Sequence, residues 1–151
     1  MSIRFLPLMS AAALLAACQP GEQTSSAPPA AQPVPQSQPQ QAITAASGLV
    51  GEYRVAGADG QDIDLPHGIT AAIDQTTIRV AADCLNFAWN YRFESSRLVT
   101  EATPVRSCKR GLLPAEEAVR AAFDAAETVS RTPANGIMFA GGGRKVTLFS
   151  Q

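Results

Sequence analysis

A chain of 151 residues has room for one modest core and an extension, not for two substantial domains. Twelve basic residues against thirteen acidic ones leave a net charge of −1, which argues against nucleic acid as a partner, since that function wants a strongly basic surface. Apart from Phe5, every aromatic residue lies after position 50, so the folded part belongs to the later stretch of the chain.

Residues 1–18 read MSIRFLPLMSAAALLAAC: one Arg, an apolar run, then small residues. This is the layout of a secretory signal peptide, too short to span a bilayer as a helix. Its end, Leu15-Ala16-Ala17-Cys18, resembles the lipobox of bacterial lipoproteins. The resemblance implies removal of residues 1–17 and acylation of Cys18, an anchor with more than the two lipid signals that stable membrane attachment needs. Gln19 follows where an Asp would signal retention, which favours the outer membrane and a periplasm-facing domain.

Residues 18–48 form a Pro-, Gln- and Ala-rich stretch with no aromatic residue and almost no charge. Such a composition predicts a disordered tether, stiffened by proline, reaching roughly 30 Å as a coil and about 90 Å fully extended. The domain is expected over residues 49–151.

Leu49–Val55 reads as a first strand, and the polar stretch Ala56–Gly68 as a loop. Ile69–Asp74 and Thr76–Ala82 read as a hairpin pair. In Cys84–Phe93, the side chains of Leu85, Phe87, Trp89, Tyr91 and Phe93 alternate with smaller or polar ones, the mark of a strand with one buried face. Glu94–Arg97 is a short turn, and Arg97–Thr103 a strand. A turn centred between Ser95 and Ser96 pairs Phe93 with Leu98, Tyr91 with Thr100 and Trp89 with Ala102. The same register puts Cys84 opposite Ser107. A one-residue bulge at Pro104, which cannot donate to a ladder, would bring Cys108 opposite Cys84. In an oxidising compartment these two should form a disulfide closing a loop of about 24 residues, worth roughly 3 kcal/mol.

Pro114–Val129 reads as a helix, with Pro114 in the first turn and Glu116 and Glu117 at its positive end. Ala115, Val119, Ala122, Phe123 and Ala126 make its apolar stripe, and Glu116 and Arg120 an exposed i,i+4 pair. Asn135-Gly136 is a turn dipeptide, and Ile137–Ala140 and Lys145–Phe149 flank a second turn at Gly141–Arg144. The expected fold class is α+β, in the order βββββ-α-βββ, with about seven or eight strands.

Cys84, Phe87 and Tyr91, then Cys108, then Glu117 and Phe123 in the helix, and the closing Leu148-Phe149 together resemble the META domain, the HslJ-like family of bacterial envelope and heat-shock-associated proteins. The resemblance covers nearly all of residues 49–151. Leu85 stands where that family has Asn, Trp89 where it has Gly, and the Met before the second cysteine is missing. The resemblance implies a strongly bent, barrel-like antiparallel sheet packed on one helix. It also implies a role in envelope stress tolerance or maintenance, with no family-wide active site.

His67 lies near Asp62 and Asp64, but one His without a nucleophile makes no triad and the spacing fits no known metal loop, so a solvated loop is expected. No metal and no cofactor is expected. Arg106, Lys109 and Arg110 cluster beside Cys108 and form a small cationic patch suited to lipid phosphates or an acidic partner. Trp89 and Tyr91 are candidates for the mouth of a ligand cavity in a bent sheet. The residues thus favour a non-enzymatic, membrane-anchored binding module. A carrier of a small hydrophobic ligand or lipid, and an inhibitor or chaperone of another envelope protein, are the alternatives.

Overall fold

The structure, a computed structural model, describes residues 40–151. The signal peptide, Cys18 and the tether as far as residue 39 lie outside the described residues. The strands are β1 (Gln41–Ala42), β2 (Gly51–Ala58), β3 (Gln61–Asp62), β4 (Ile69–Ile73), β5 (Thr77–Ala82), β6 (Leu85–Glu94) and β7 (Arg97–Thr103), then β8 (Thr128–Arg131), β9 (Ile137–Gly141) and β10 (Arg144–Ser150). One α-helix, α1 (Pro114–Asp124), separates β7 from β8. Leaving aside the two-residue strands β1 and β3, the order is βββββ-α-βββ, as the sequence predicts.

Every ladder is antiparallel, in the spatial order β1-β8-β9-β10-β2-β4-β5-β6-β7, with β3 folded back on β2. The first long strand and the last therefore lie side by side in the middle, where Val55 pairs with Leu148. The sheet curls into a half-barrel. Its two flanks meet at one bond, where the Leu98 amide donates to the carbonyl of Glu127 at 2.8 Å. An Arg97–Glu127 ion pair at 2.7 Å lies beside that bond.

Strand turns explain much of this path. Two-residue turns at Asp83-Cys84, Ser95-Ser96 and Gly142-Gly143 connect paired strands. Asp83, Ser95, Gly142 and Gly143 supply the positive φ that such turns require. The β4–β5 loop is instead held by Asp74, whose carboxylate accepts the Thr76 and Thr77 amides at 2.9 and 2.7 Å and the Thr77 hydroxyl at 2.6 Å. These bonds, the Thr77 hydroxyl first, push the Asp74 pKa well below the usual carboxylate range.

α1 fills the concave face. Val119, Ala122 and Phe123 are fully buried there, with Ala126 just beyond the helix. Phe123 stacks between Trp89 of β6 and Phe139 of β9, with ring centroids 5.0 and 5.1 Å away. Alanines on the stripe bring helix and sheet close together. Gly141 marks a tight approach, since a Cβ there would overlap the carbonyl oxygen of Ala125.

Three boundaries differ from the sequence reading. The helix stops at Asp124 rather than Val129, because Glu127 already donates to Ala140 and the β-branched Thr128 and Val129 join β8. The first strand is shifted, and it continues through Ala58 into the region read as a loop. It turns at Asp59-Gly60, both at positive φ, to pair with β3. Finally, residues 41–48, assigned to the tether, belong to the folded domain. Gln41 and Ala42 pair with β8, Ile43 donates to Val129 at 2.8 Å and packs on the core, and Ala46–Gly48 form a 3₁₀ turn leading to the buried Leu49.

Candidate functional site

Of the residues singled out in the sequence, Cys84, Arg106, Cys108, Lys109 and Arg110 lie at the crossover from β7 to α1. Pro104 has no amide hydrogen, and the β6–β7 ladder ends one residue earlier, at Thr103 opposite Ala88. Residues 104–113 then run irregularly past the start of β6. Asn86 holds them through its amide to Ser107 Oγ at 3.0 Å and through Nδ2 to the Arg106 carbonyl at 3.3 Å. The Cys108 amide donates to the Cys84 carbonyl at 3.2 Å. Cys84 and Cys108 are joined by a disulfide with their Cα atoms 5.6 Å apart. The extra residue expected as a bulge at Pro104 is absorbed in this irregular stretch, outside the ladder.

The three cations of the crossover part company. Lys109 is exposed, and neither it nor Arg106 makes an ion pair among the described residues. Arg110 turns inward and grips Glu116 with two bonds, Nη2 to Oε1 at 2.6 Å and Nη1 to Oε2 at 2.8 Å. Glu116 is fully buried. Its carboxylate also accepts the Leu113 amide at 2.8 Å, and His67 Nε2 lies 3.2 Å from Oε1. The Arg110 bonds dominate and, against the opposing effect of burial, hold the Glu116 pKa down to about 2. The same pairing pushes Arg110 up.

This cluster corrects two expectations. Glu116 does not pair with Arg120 on the exposed face, and His67, although its neighbours Pro66 and Gly68 are exposed, is itself half-buried. Its side chain is 28% exposed and packs on the carboxylate. The signal was present in the spacing. Glu116, Val119 and Phe123 stand at i, i+3 and i+7, on one face of the helix. Chemically the cluster is a lock. Arg110, Leu113 and His67 use both carboxylate oxygens, tying the loop before β4 and the crossover to the helix start.

Trp89 and Tyr91 are core residues. Trp89 is 1% exposed and its indole N–H donates to Asp124 Oδ1 at 2.7 Å. Tyr91 is also buried, and its hydroxyl donates to the Asp74 carbonyl at 2.6 Å. Burial first, then the Asp74 charge, raise its pKa to about 12. The ligand cavity expected beside this pair is only partly there. A cleft of about 260 Å³ opens at the edge of Trp89, bordered by Arg120, Asp124 and Val105, and Tyr91 takes no part in it.

A second groove, of about 320 Å³, lies on the opposite, solvent-facing side of the sheet. Val105 and Arg106 form one end and Glu52 the other, and Ala72, Ala81 and Ala88 lie between them. Sequence reasoning missed it, although three alanines at outward strand positions were a readable signal.

Among the described residues, no group of three or more His, Cys, Asp or Glu side chains is arranged to hold a metal ion, and no helix is long and apolar enough to cross a membrane. No family model matches the chain, and no curated protein matches it. One solved structure, the "NMR structure of the protein from Burkholderia xenovorans", is similar in fold, with a TM-score of 0.50 and 15% identity over 83% of this chain and 97% of the other.

Proposed function

We propose that the chain is a non-enzymatic lipoprotein of the cell envelope, anchored through Cys18 to the outer membrane, whose META-like domain binds an envelope component. The observation that carries this reading is the Cys84–Cys108 disulfide, which ties the crossover to the core strand. A structural disulfide is at home in an oxidising compartment, the destination that the first 18 residues also indicate. Intact and peptide mass spectrometry of protein purified from its native membrane tests the reading. A triacylated Cys18 and a linked Cys84–Cys108 peptide are expected. Free thiols on an unlipidated chain overturn it.

A small-ligand carrier is the second reading, and the 320 Å³ groove favours it. Ligand sites typically begin at about this size.

A further inference from the structure

The solvent-facing side of β2, β4, β5 and β6 carries two cross-strand rows. One runs Glu52, Ala72, Arg79, Ala88 and the other Arg54, Thr70, Ala81, Asn86. Strand positions favour β-branched and aromatic side chains, and alanine is depleted there. Ala72, Ala81 and Ala88 contribute nothing to the core from this face, yet they are diagonal neighbours across three adjacent strands. Their effect is to leave room. The groove they floor is mostly apolar, with Thr70, Arg79 and Asn86 also on its lining, and its two ends differ in charge.

At the β2 end stands Glu52. At the other end stands Arg106, in no ion pair among the described residues, with Val105 beside it. Arg79 rises from the floor between Ala72 and Ala88, and its only anionic partner among the described residues is the exposed Asp74, at 3.3 Å. The crossover residues that make the Arg106 end are fixed by Asn86 and the disulfide, so this end is built in advance.

We propose that this groove binds a single-chain anionic amphiphile. Its alkyl chain lies on Ala72, Ala81 and Ala88, and its carboxylate or phosphate head lies against Arg106. Glu52 sets the direction, because it repels an anion at the far end. A volume of about 320 Å³ is on the scale of one alkyl chain. The proposal deepens the binding role above and rests on it for its physiological setting.

The test uses the full-length, disulfide-bonded chain carrying Cys18→Ser, so that no acyl group of its own competes. Laurate, dodecyl phosphate and the neutral dodecanol are titrated below their micellar range while backbone amide shifts are followed. Saturable shifts at Ala72, Ala81 and Ala88 with laurate, with dodecyl phosphate or with both support the proposal. Which of the two binds tells a free fatty acid from a phosphate-headed lipid. Ala81→Leu fills the groove from an exposed position and is expected to weaken binding by about tenfold or more. Val105→Ser, which removes an apolar wall of the groove, is expected to weaken binding too and serves if the first variant does not fold. Arg106→Gln is expected to weaken both anions about tenfold and to leave dodecanol unchanged.

Absence of shifts at these alanines, wild-type affinity in the groove variants, or dodecanol binding as tightly as the anions overturns it. The lipid at Cys18 is read separately by mass on the native chain. An anchored protein with an empty groove defeats this site alone, and an unlipidated protein with a working groove defeats the anchor alone.

Discussion

Glu116 shows how one buried charge can organise three separate segments. Removing it leaves the partly exposed Arg110 and the Leu113 amide without their partner. Glu116→Ala is therefore expected to cost about 1–3 kcal/mol in urea unfolding at pH 7. The pH dependence has a definite sign. The carboxyl is ionised in the folded state down to about pH 2, against 4.5 for its ordinary value. The stabilisation is complete above pH 4.5 and is lost as pH falls toward 2, on the order of 3 kcal/mol in all. Unfolding measured at pH 7, 4.5 and 2.5 should show this loss in the wild type and a flatter profile in Glu116→Gln. A second residue-scale contact, Trp89 to Asp124, joins the core strand to the last turn of the helix. Trp89→Phe keeps most of the ring and removes the donor, with an expected loss of about 1–3 kcal/mol.

The crossover of residues 104–113 is the element on which the site depends. Cys84→Ser/Cys108→Ser removes the closure of a 24-residue separation and is expected to destabilise by about 3 kcal/mol. Hydrogen exchange should quicken first at the amides of Ser107 and Cys108. The junction of α1 with β9 allows no side chain at Gly141, whose absent Cβ would overlap the Ala125 carbonyl and approach the Glu127 amide at 2.7 Å. Gly141→Ala should lower the melting temperature by more than 4 °C, since it forces these two elements apart.

Elements were legible where local chemistry fixes them. The Ser95-Ser96 turn and the alternation from Leu85 to Phe93 set the β6–β7 register residue by residue, and the observed pairs Phe93–Leu98, Tyr91–Thr100 and Trp89–Ala102 are those expected. The Cys84–Cys108 pairing followed from that register with one extra residue allowed before Cys108. What stayed hidden depends on distant partners. Gln41 and Ala42 have no strand signature of their own and become β1 only because β8 offers an edge. Helical periodicity through Ala126 concealed the point at which Glu127 turns to pair with Ala140. Glu116 sat at core spacing, but its charge argued for solvent until Arg110, more than a turn earlier in sequence, supplied the counter-charge.

At the scale of the whole molecule, the domain begins before Leu49. A chain starting at Gln41 keeps β1 and the 3₁₀ turn, and its melting temperature should match that of the full protein. A chain starting at Leu49 bares the edge of β8 and loses the packing of Ile43. It should melt about 4 °C or more lower and tend to aggregate through the freed edge.

The position of β10 between β9 and β2 has a consequence for how the protein is made. The central pair of the sheet joins Val55 to Leu148, near the two ends of the domain. Until Arg144–Ser150 has left the ribosome, β2 lacks its neighbour on one side and the curved face cannot close over Phe123. Closure of the sheet is thus deferred until β10 is available, and long-range pairing of this kind is slow. A sheet that cannot close before β10 is made leaves the final shape unset during synthesis, the condition in which a polypeptide can still be threaded through a narrow pore.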